Sequence, residues 1–306
     1  MEYSLTTFGG KLRSLRKKRF LTQLDVFKAT GVNVETLRRI EQGKVVPKIE
    51  TLEHLSPVLK KDVLLLFFKH RYQDHSLLQE KITDLERTLD NSDFSKLELK
   101  VEKINKMLPM IKNKYYKKLI QQQLLFAKGI IRYKKENEPS KALDMLIKAI
   151  KMTTPKFQLD NFQSYVYSST EVRILMNIGM IVNSLGRNKE YLNILEFSIK
   201  TVKDTDELYP KICHNLAGAY IRKGHYINGL KYSNLGVDWC KNNRFYAGLN
   251  LLYYSKGVCQ FYLKDESYKS SVELAICLCE AYGQDKLKKL MLSNYNDLER
   301  QGCIRQ

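Results

Sequence analysis

No stretch of this chain alternates apolar and polar residues with period two for long enough to build a sheet. Apolar residues instead recur at three- and four-residue offsets along most of its 306 positions. This periodicity is the strongest constraint on the fold, and it predicts an all-α protein. The 15 glycines and 6 prolines point the same way, being too few for a many-turned β-sandwich or a low-complexity chain. The length suits two domains and a core that needs neither metal nor disulfides. The longest apolar run, Val63 to Phe68, is far shorter than the roughly 20 residues of a bilayer span. The opening MEYSLTTFGGKLRSLRKKRF lacks the apolar centre of a signal peptide, so a cytosolic protein without a membrane partner is expected.

Chemistry-bearing motifs are sparse. No phosphate-cradling glycine loop, HExxH or GxSxG occurs, and His54, His70, His75, His214 and His225 have no ligand-like spacing. Cys213, Cys240, Cys259, Cys277, Cys279 and Cys303 are irregularly placed without a C-x-x-C pair. They read as small core residues or free thiols. The expectation is no enzyme, no catalytic residue, no metal and no cofactor. Charge is more informative: 52 Lys and Arg against 33 Asp and Glu give +19, which favours polyanionic partners. Residues 1–71 alone carry 15 basic and 7 acidic side chains, an excess of +8 available to neutralise phosphates.

The first 70 residues divide into about five short helical patterns. Thr6 or Thr7 can cap the first, with its stripe Phe8, Leu12, Leu15. Thr22 can cap the second, with Asp25 completing a capping box, and Gly31 breaks it. Asn33 can cap the third, which Gly43 stops. The fourth follows Pro47 with Ile49, Leu52, Leu55 and Leu59, and Asp62 can cap the fifth. Two short helices on a glycine-containing turn, Thr22–Ala29 then Asn33–Glu41, form a helix–turn–helix arrangement.

In this region the sequence resembles the XRE (Cro/C1-type) DNA-binding domain. The resemblance rests on Leu21-Thr22-Gln23, Gly31-Val32-Asn33 and Arg39-Ile40-Glu41-Gln42-Gly43, in order and at the family's spacing over about 60 residues. It implies that Gln23 contacts the DNA backbone. It places Val34, Glu35 and Arg39 where the recognition helix reaches base edges, with Thr36 and Arg38 beside them and Lys44 just beyond. Arginine suits a bidentate contact to guanine. The plainer reading of Arg38 and Arg39 is a solvated helix face. The resemblance also implies a structural ion pair, Arg16 with Glu41. Three residues depart from the family pattern. Phe27 stands where a small residue lets the second and third helices approach, Pro57 interrupts the fourth helix, and Lys48 replaces a serine cap.

Residues 71–90 read as a linker helix with the stripe Leu78, Ile82, Leu85, Leu89, and Asn91-Ser92 break it. Residues 91–306 contain a repeat. Asn177-Ile178-Gly179 with Gly186 and Tyr191 aligns with Asn215-Leu216-Ala217, Gly224, Tyr226 and Gly229, and then with Ser255-Lys256-Gly257 and Lys264. A weaker copy spans 122–155. The pitch of 38 and 40 residues exceeds the roughly 34 of the tetratricopeptide repeat (TPR), which these segments resemble. Such repeats imply a right-handed helical solenoid whose concave face holds an extended peptide. Asn177 and Asn215 share one repeat position and carry amides able to serve both backbone groups of a peptide. Arg173 and Lys211 lie one turn earlier and suit a carboxylate. His214, Tyr254 and Tyr262 are candidate pocket residues, and Phe261 reads more readily as core.

A helix–turn–helix domain (1–70), linker helix (71–90) and TPR-like peptide-binding and dimerisation domain (91–306) together resemble the RRNPP group of Gram-positive peptide-sensing regulators. The PlcR and Rgg branches are nearest in layout. The resemblance implies a homodimeric cytosolic quorum-sensing transcription factor with a double-stranded DNA operator and a short signalling peptide as partners. Two other readings are a TPR adaptor that does not use DNA and a Rap-like inhibitor acting through protein contacts. The basic first zone speaks against both.

Overall fold

The computed structural model describes residues 5–71, 73–90, 94–111, 113–202 and 206–304. Among them every regular element is a helix: α1 (Leu5–Lys18), α2 (Gln23–Thr30), α3 (Val34–Glu41), α4 (Ile49–Val58), α5 (Val63–Arg71), α6 (Gln73–Asp90), α7 (Phe94–Met107) and α8 (Lys114–Lys134). There follow α9 (Pro139–Thr153), α10 (Ser169–Ser184), α11 (Asn188–Thr201), α12 (Tyr209–Arg222), α13 (Tyr226–Asn242), α14 (Leu249–Tyr262), α15 (Tyr268–Ala281) and α16 (Asp285–Ile304). Short 3-10 turns lie at Leu108–Met110 and Leu159–Ser164. The all-α class, with an N-terminal helix–turn–helix domain and a TPR-like array, is the fold found. Contacts divide the chain into two compact units, Met1–Ala127 and Lys128–Gln306.

In the first unit local chemistry sets the helix ends. The Thr22 hydroxyl accepts from the Asp25 N–H at 3.1 Å, and the Asp25 carboxylate accepts from the Thr22 N–H at 2.7 Å, closing a full capping box. Gly31 ends α2 at φ +72°, and Asn33 caps α3 through the Glu35 N–H at 2.8 Å. Asp62 accepts from the Leu65 N–H at 2.7 Å and starts α5. Lys48 precedes α4 without a side-chain cap, and Pro57 falls in the last turn of α4, where it interrupts little.

Two expectations change. α1 already includes Leu5, so Thr6 and Thr7 lie inside it rather than capping it. Phe27 does not enter the approach of α2 and α3. It is 41% exposed, and Val26 is the buried residue. The core joins Phe8 and Leu12 of α1 to Val26, Leu37, Ile40, Leu52, Leu55, Leu59, Val63 and Phe67. The Phe8 and Phe67 rings meet edge-on with centroids 5.1 Å apart. Gly43, at φ +69°, also allows the loop after α3 to reach α1, because a Cβ there would lie 2.5 Å from the Thr6 nitrogen.

α6 and α7 form the next hairpin. Lys100 reaches Asp84 at 2.7 Å and the Thr88 hydroxyl at 2.6 Å, and Leu85 is fully buried. Leu78 lies outside the described side chains, and Asn91-Ser92 outside the described residues.

The second unit is a row of helical hairpins: the end of α8 with α9, α10 with α11, α12 with α13, and α14 with α15, followed by α16. The turn inside each hairpin holds one left-handed residue: Asn137 (φ +57°), Gly186 (+85°), Gly224 (+74°) and Lys264 (+60°). Two of the four are the glycines that mark the repeat in the sequence. Helix pairs pack where side chains are missing. A Cβ on Gly257 would lie 2.6 Å from Val272 Cγ2, and one on Gly129 would lie 2.5 Å from Leu146 Cδ1. Cys213, Cys240, Cys259 and Cys279 are buried thiols in this core, and Cys277 is exposed. No helix among the described residues is long and apolar enough to cross a membrane.

Candidate functional site

The helix–turn–helix surface is built by α3. Its apolar residues Leu37 and Ile40 are buried, and by helical periodicity the opposite face carries exposed Glu35, Thr36, Arg38 and Arg39 with half-buried Val34. Lys44 is exposed just past the helix. Glu35 accepts two hydrogen bonds of 2.6 Å each from the Arg38 guanidinium. That pairing lowers the Glu35 carboxyl below its usual range and raises Arg38. The guanidinium of Arg39 makes no ion pair among the described residues. The face therefore offers one fork already held in plane by a carboxylate and one projecting arginine, a donor set able to read guanine and phosphate.

Beneath this face Arg16 and Glu41 form a buried two-bond ion pair, Nε to Oε1 at 2.6 Å and Nη2 to Oε2 at 2.9 Å. Arg16 also donates to the Leu21 carbonyl at 2.7 Å, so one side chain ties α1, the α1–α2 turn and the end of α3. The Glu41 hydrogen bond raises the Arg16 pKa against the opposing effect of burial. Gln23 joins the same network, its Nε2 donating to Glu41 Oε2 at 3.0 Å. Its amide N–H is thus turned to the scaffold, a contact across 18 positions that no local pattern signals.

In the repeat unit an open cavity of about 310 Å³ is lined by Tyr133, Met180, Asn183, Ser184, Tyr191, His214, Asn215, Gly218 and Arg222. It brings together two of the seven candidate peptide residues, His214 and Asn215. Arg222 stands 5.9 Å from the centre of the buried Tyr191 ring. His214 Nδ1 lies 3.3 Å from the Ser255 hydroxyl. Burial first, and Arg222 second, push the imidazole down to about 4, so it is neutral at pH 7. None of the nine lining residues is a carboxylate. The wall offers amides, hydroxyls and one guanidinium, which can pair with a peptide backbone and with a negative group.

The other five candidates lie outside this lining. Asn177 is half-buried and donates to the Arg173 carbonyl of its own helix at 2.8 Å. Arg173 and Lys211 are half-buried on α10 and α12. Tyr254 packs against the core of α12–α16 and hydrogen-bonds Asn294, and burial raises its pKa. Tyr262 is stacked on Tyr226 with centroids 4.3 Å apart. Gly218 and Arg222 were missed, although they continue the face of Lys211, His214 and Asn215 by i+3 and i+7 from Asn215. Tyr133 and Tyr191 come from other helices and had no such signal.

Comparison with known proteins places these surfaces in a wider frame. Residues 7–60 match the family described as a helix-turn-helix domain. The whole chain is similar in fold to PlcR from Bacillus thuringiensis, solved in complex with the peptide PapR7 and DNA. The TM-score is 0.72 at 18% identity, covering 94% of this chain and 99% of that one. It is similar also to ComR from S. thermophilus in complex with DNA and its signalling peptide ComS (TM-score 0.58, 11% identity, 95% and 99% covered). The Streptococcus dysgalactiae SHP pheromone receptor Rgg2 gives a TM-score of 0.56 at 13% identity, with 95% and 99% covered. No curated protein sequence matches the chain. The fold seen in PlcR, ComR and Rgg2 is therefore the fold of this protein.

Proposed function

We propose that the protein is a cytosolic, homodimeric transcription regulator that binds operator DNA through α3 and a short signalling peptide in the groove around His214 and Asn215. The observation that carries this reading is the pairing of an exposed, two-arginine recognition face with a carboxylate-free cavity in a PlcR-like fold. Val34, Glu35, Thr36, Arg38, Arg39 and Lys44 face the DNA, and Gln23 holds Glu41 in place. A dimer reads two half-sites about 34 Å or a multiple apart. In the groove Asn215 and Asn183 serve the peptide backbone. Arg173 and Lys211 extend the same face beyond the cavity. Peptide changes DNA binding only as far as it prefers one arrangement of the dimer over another.

Footprinting of the full-length protein on genomic fragments, with and without candidate synthetic peptides, tests this reading. Asn215→Ala is expected to keep the footprint and lose the peptide response, whereas Asn177→Ala retains most of it. A protein without any preferred duplex, or an Asn215→Ala variant with a full response, overturns it.

A further inference from the structure

The +19 charge sits in two places. Residues 1–71 hold +8, and residues 103–135 hold ten lysines and arginines with no aspartate or glutamate. All the remaining residues together contribute +1. The second concentration lies outside the helix–turn–helix. Its first part, the described residues of which are 103–111 and 113–118, forms the corner from the end of α7 through the 3-10 turn Leu108–Met110 to the start of α8. Lys103, Lys106, Lys114 and Lys118 are exposed there, and Lys117 is half-buried. Lys106 pairs with Glu102, while Lys103, Lys114, Lys117 and Lys118 make no ion pair among the described residues. Met110 and Tyr115 stand among them 77% and 65% exposed.

The hairpin register tells where this corner lies within the first unit. Only three residues separate α6 from α7, so the two run antiparallel, and Lys100 sits opposite Asp84 and Thr88. Seven residues on, Met107 has returned to within about 10 Å, along the axis, of the point where α6 begins. α8 turns outward again, since Gln123 donates to Glu86 at 3.1 Å. Its first residues are therefore level with the same end. The lysine-rich corner thus lies at the end of the α6–α8 bundle where α6 leaves the DNA-binding domain.

We infer that Lys106, Lys114, Lys117 and Lys118, with Tyr115, form a second, sequence-independent contact for the phosphates of duplex DNA flanking the operator. This inference rests on the operator-binding reading. The corner shares one compact unit with α3. Its lysines, three without an ion pair among the described residues and Lys106 in an exposed pair with Glu102 that is worth little, gain from releasing the counterions of duplex that extends past the operator. An anionic membrane fits less well, because the two exposed apolar side chains form no continuous apolar face.

The test uses full-length protein and fluorescent random-sequence duplexes of about 40 and about 16 bp, with affinity followed from about 50 to 200 mM KCl. Each phosphate contact contributes ~0.9 to the slope of log K against log salt. Lys106→Gln/Lys114→Gln/Lys117→Gln/Lys118→Gln is expected to flatten that slope by about 3 on the long duplex and to weaken binding about tenfold or more. On the short duplex it should bind like the parent, and the matching four-fold Lys→Arg variant should bind like the parent on both. An unchanged thermal melt shows that the variants fold. An unchanged slope on the long duplex overturns the second contact while the regulator reading stands, whether or not the parent alone binds phosphatidylserine vesicles. A parent protein that binds neither duplex overturns both.

Discussion

The α3 face and the cavity around His214 and Asn215 are both built from helices, yet they are assembled differently. The α3 face comes from eleven consecutive positions, Val34 to Lys44, and its support is three side chains, Arg16, Gln23 and Glu41. The cavity draws on α8, α10, α11 and α12, and its residues span 133 to 222. A face of one helix is set by its own periodicity, so it survives small shifts of its neighbours. A cavity between hairpins exists only if every helix–helix distance is right. Damage to the first surface should therefore be local, and damage to the second should spread.

The largest expected effect tests the support of the first surface. Glu41→Ala leaves the Arg16 guanidinium buried without its carboxylate, and it should cost about 3–5 kcal/mol in the stability of the DNA-binding domain, read by urea unfolding. Arg222→Ala, at an exposed position of the groove, should change stability by only about 0.5 kcal/mol or less. Equal losses would show that the buried Arg16–Glu41 pair supports α3 no more than an exposed side chain supports the cavity.

A pH titration sharpens it from the other side. The ordinary imidazole titrates near 6.5, and His214 is pushed down to about 4 in the fold. Between these values the unfolded chain holds a proton that the folded chain lacks. The repeat unit should thus lose stability as pH falls from about 6.5 to about 4, on the order of 2 kcal/mol after allowing for the ring's partial exposure. His214→Gln should flatten that part of the profile in a thermal melt series.

Arg39→Ala is expected to weaken specific DNA binding by about 1–3 kcal/mol without shifting the melting temperature, measured by quantitative footprinting. Unchanged footprints would remove α3 as the reader. The smallest effect is Thr22→Ala, which opens the α2 capping box and should cost about 1 kcal/mol of stability, with DNA specificity retained. A loss of specificity there would mean that α2 placement is less robust than its double hydrogen bond suggests.

Much was legible before any coordinates. The helix class, the caps at Thr22, Asn33 and Asp62, and the repeat turns at Gly186 and Gly224 all depend on residues within four or five positions of each other. The exposed face of α3 was legible because one helix carries it. Phe27 was misplaced because a position's usual occupant in relatives says nothing of how this chain turns a larger ring outward. Tyr254 and Tyr262 looked like pocket aromatics, but an aromatic at the right helical spacing serves equally well as core or as a stacking partner, here for Tyr226.

Taken alone, the order of residues determined a two-part helical protein and the side chains its recognition helix would show, since caps and amphipathic stripes act over a single turn. Which side chains meet in the groove was decided by tertiary structure. His214 and Asn215 gain Tyr133, Met180 and Tyr191 as neighbours only when hairpins far apart in the chain pack at distances set by buried contacts such as Gly129 against Leu146 and Gly179 against Ile194. Such distances depend on the summed shapes of several helices, and no short stretch of sequence contains that sum.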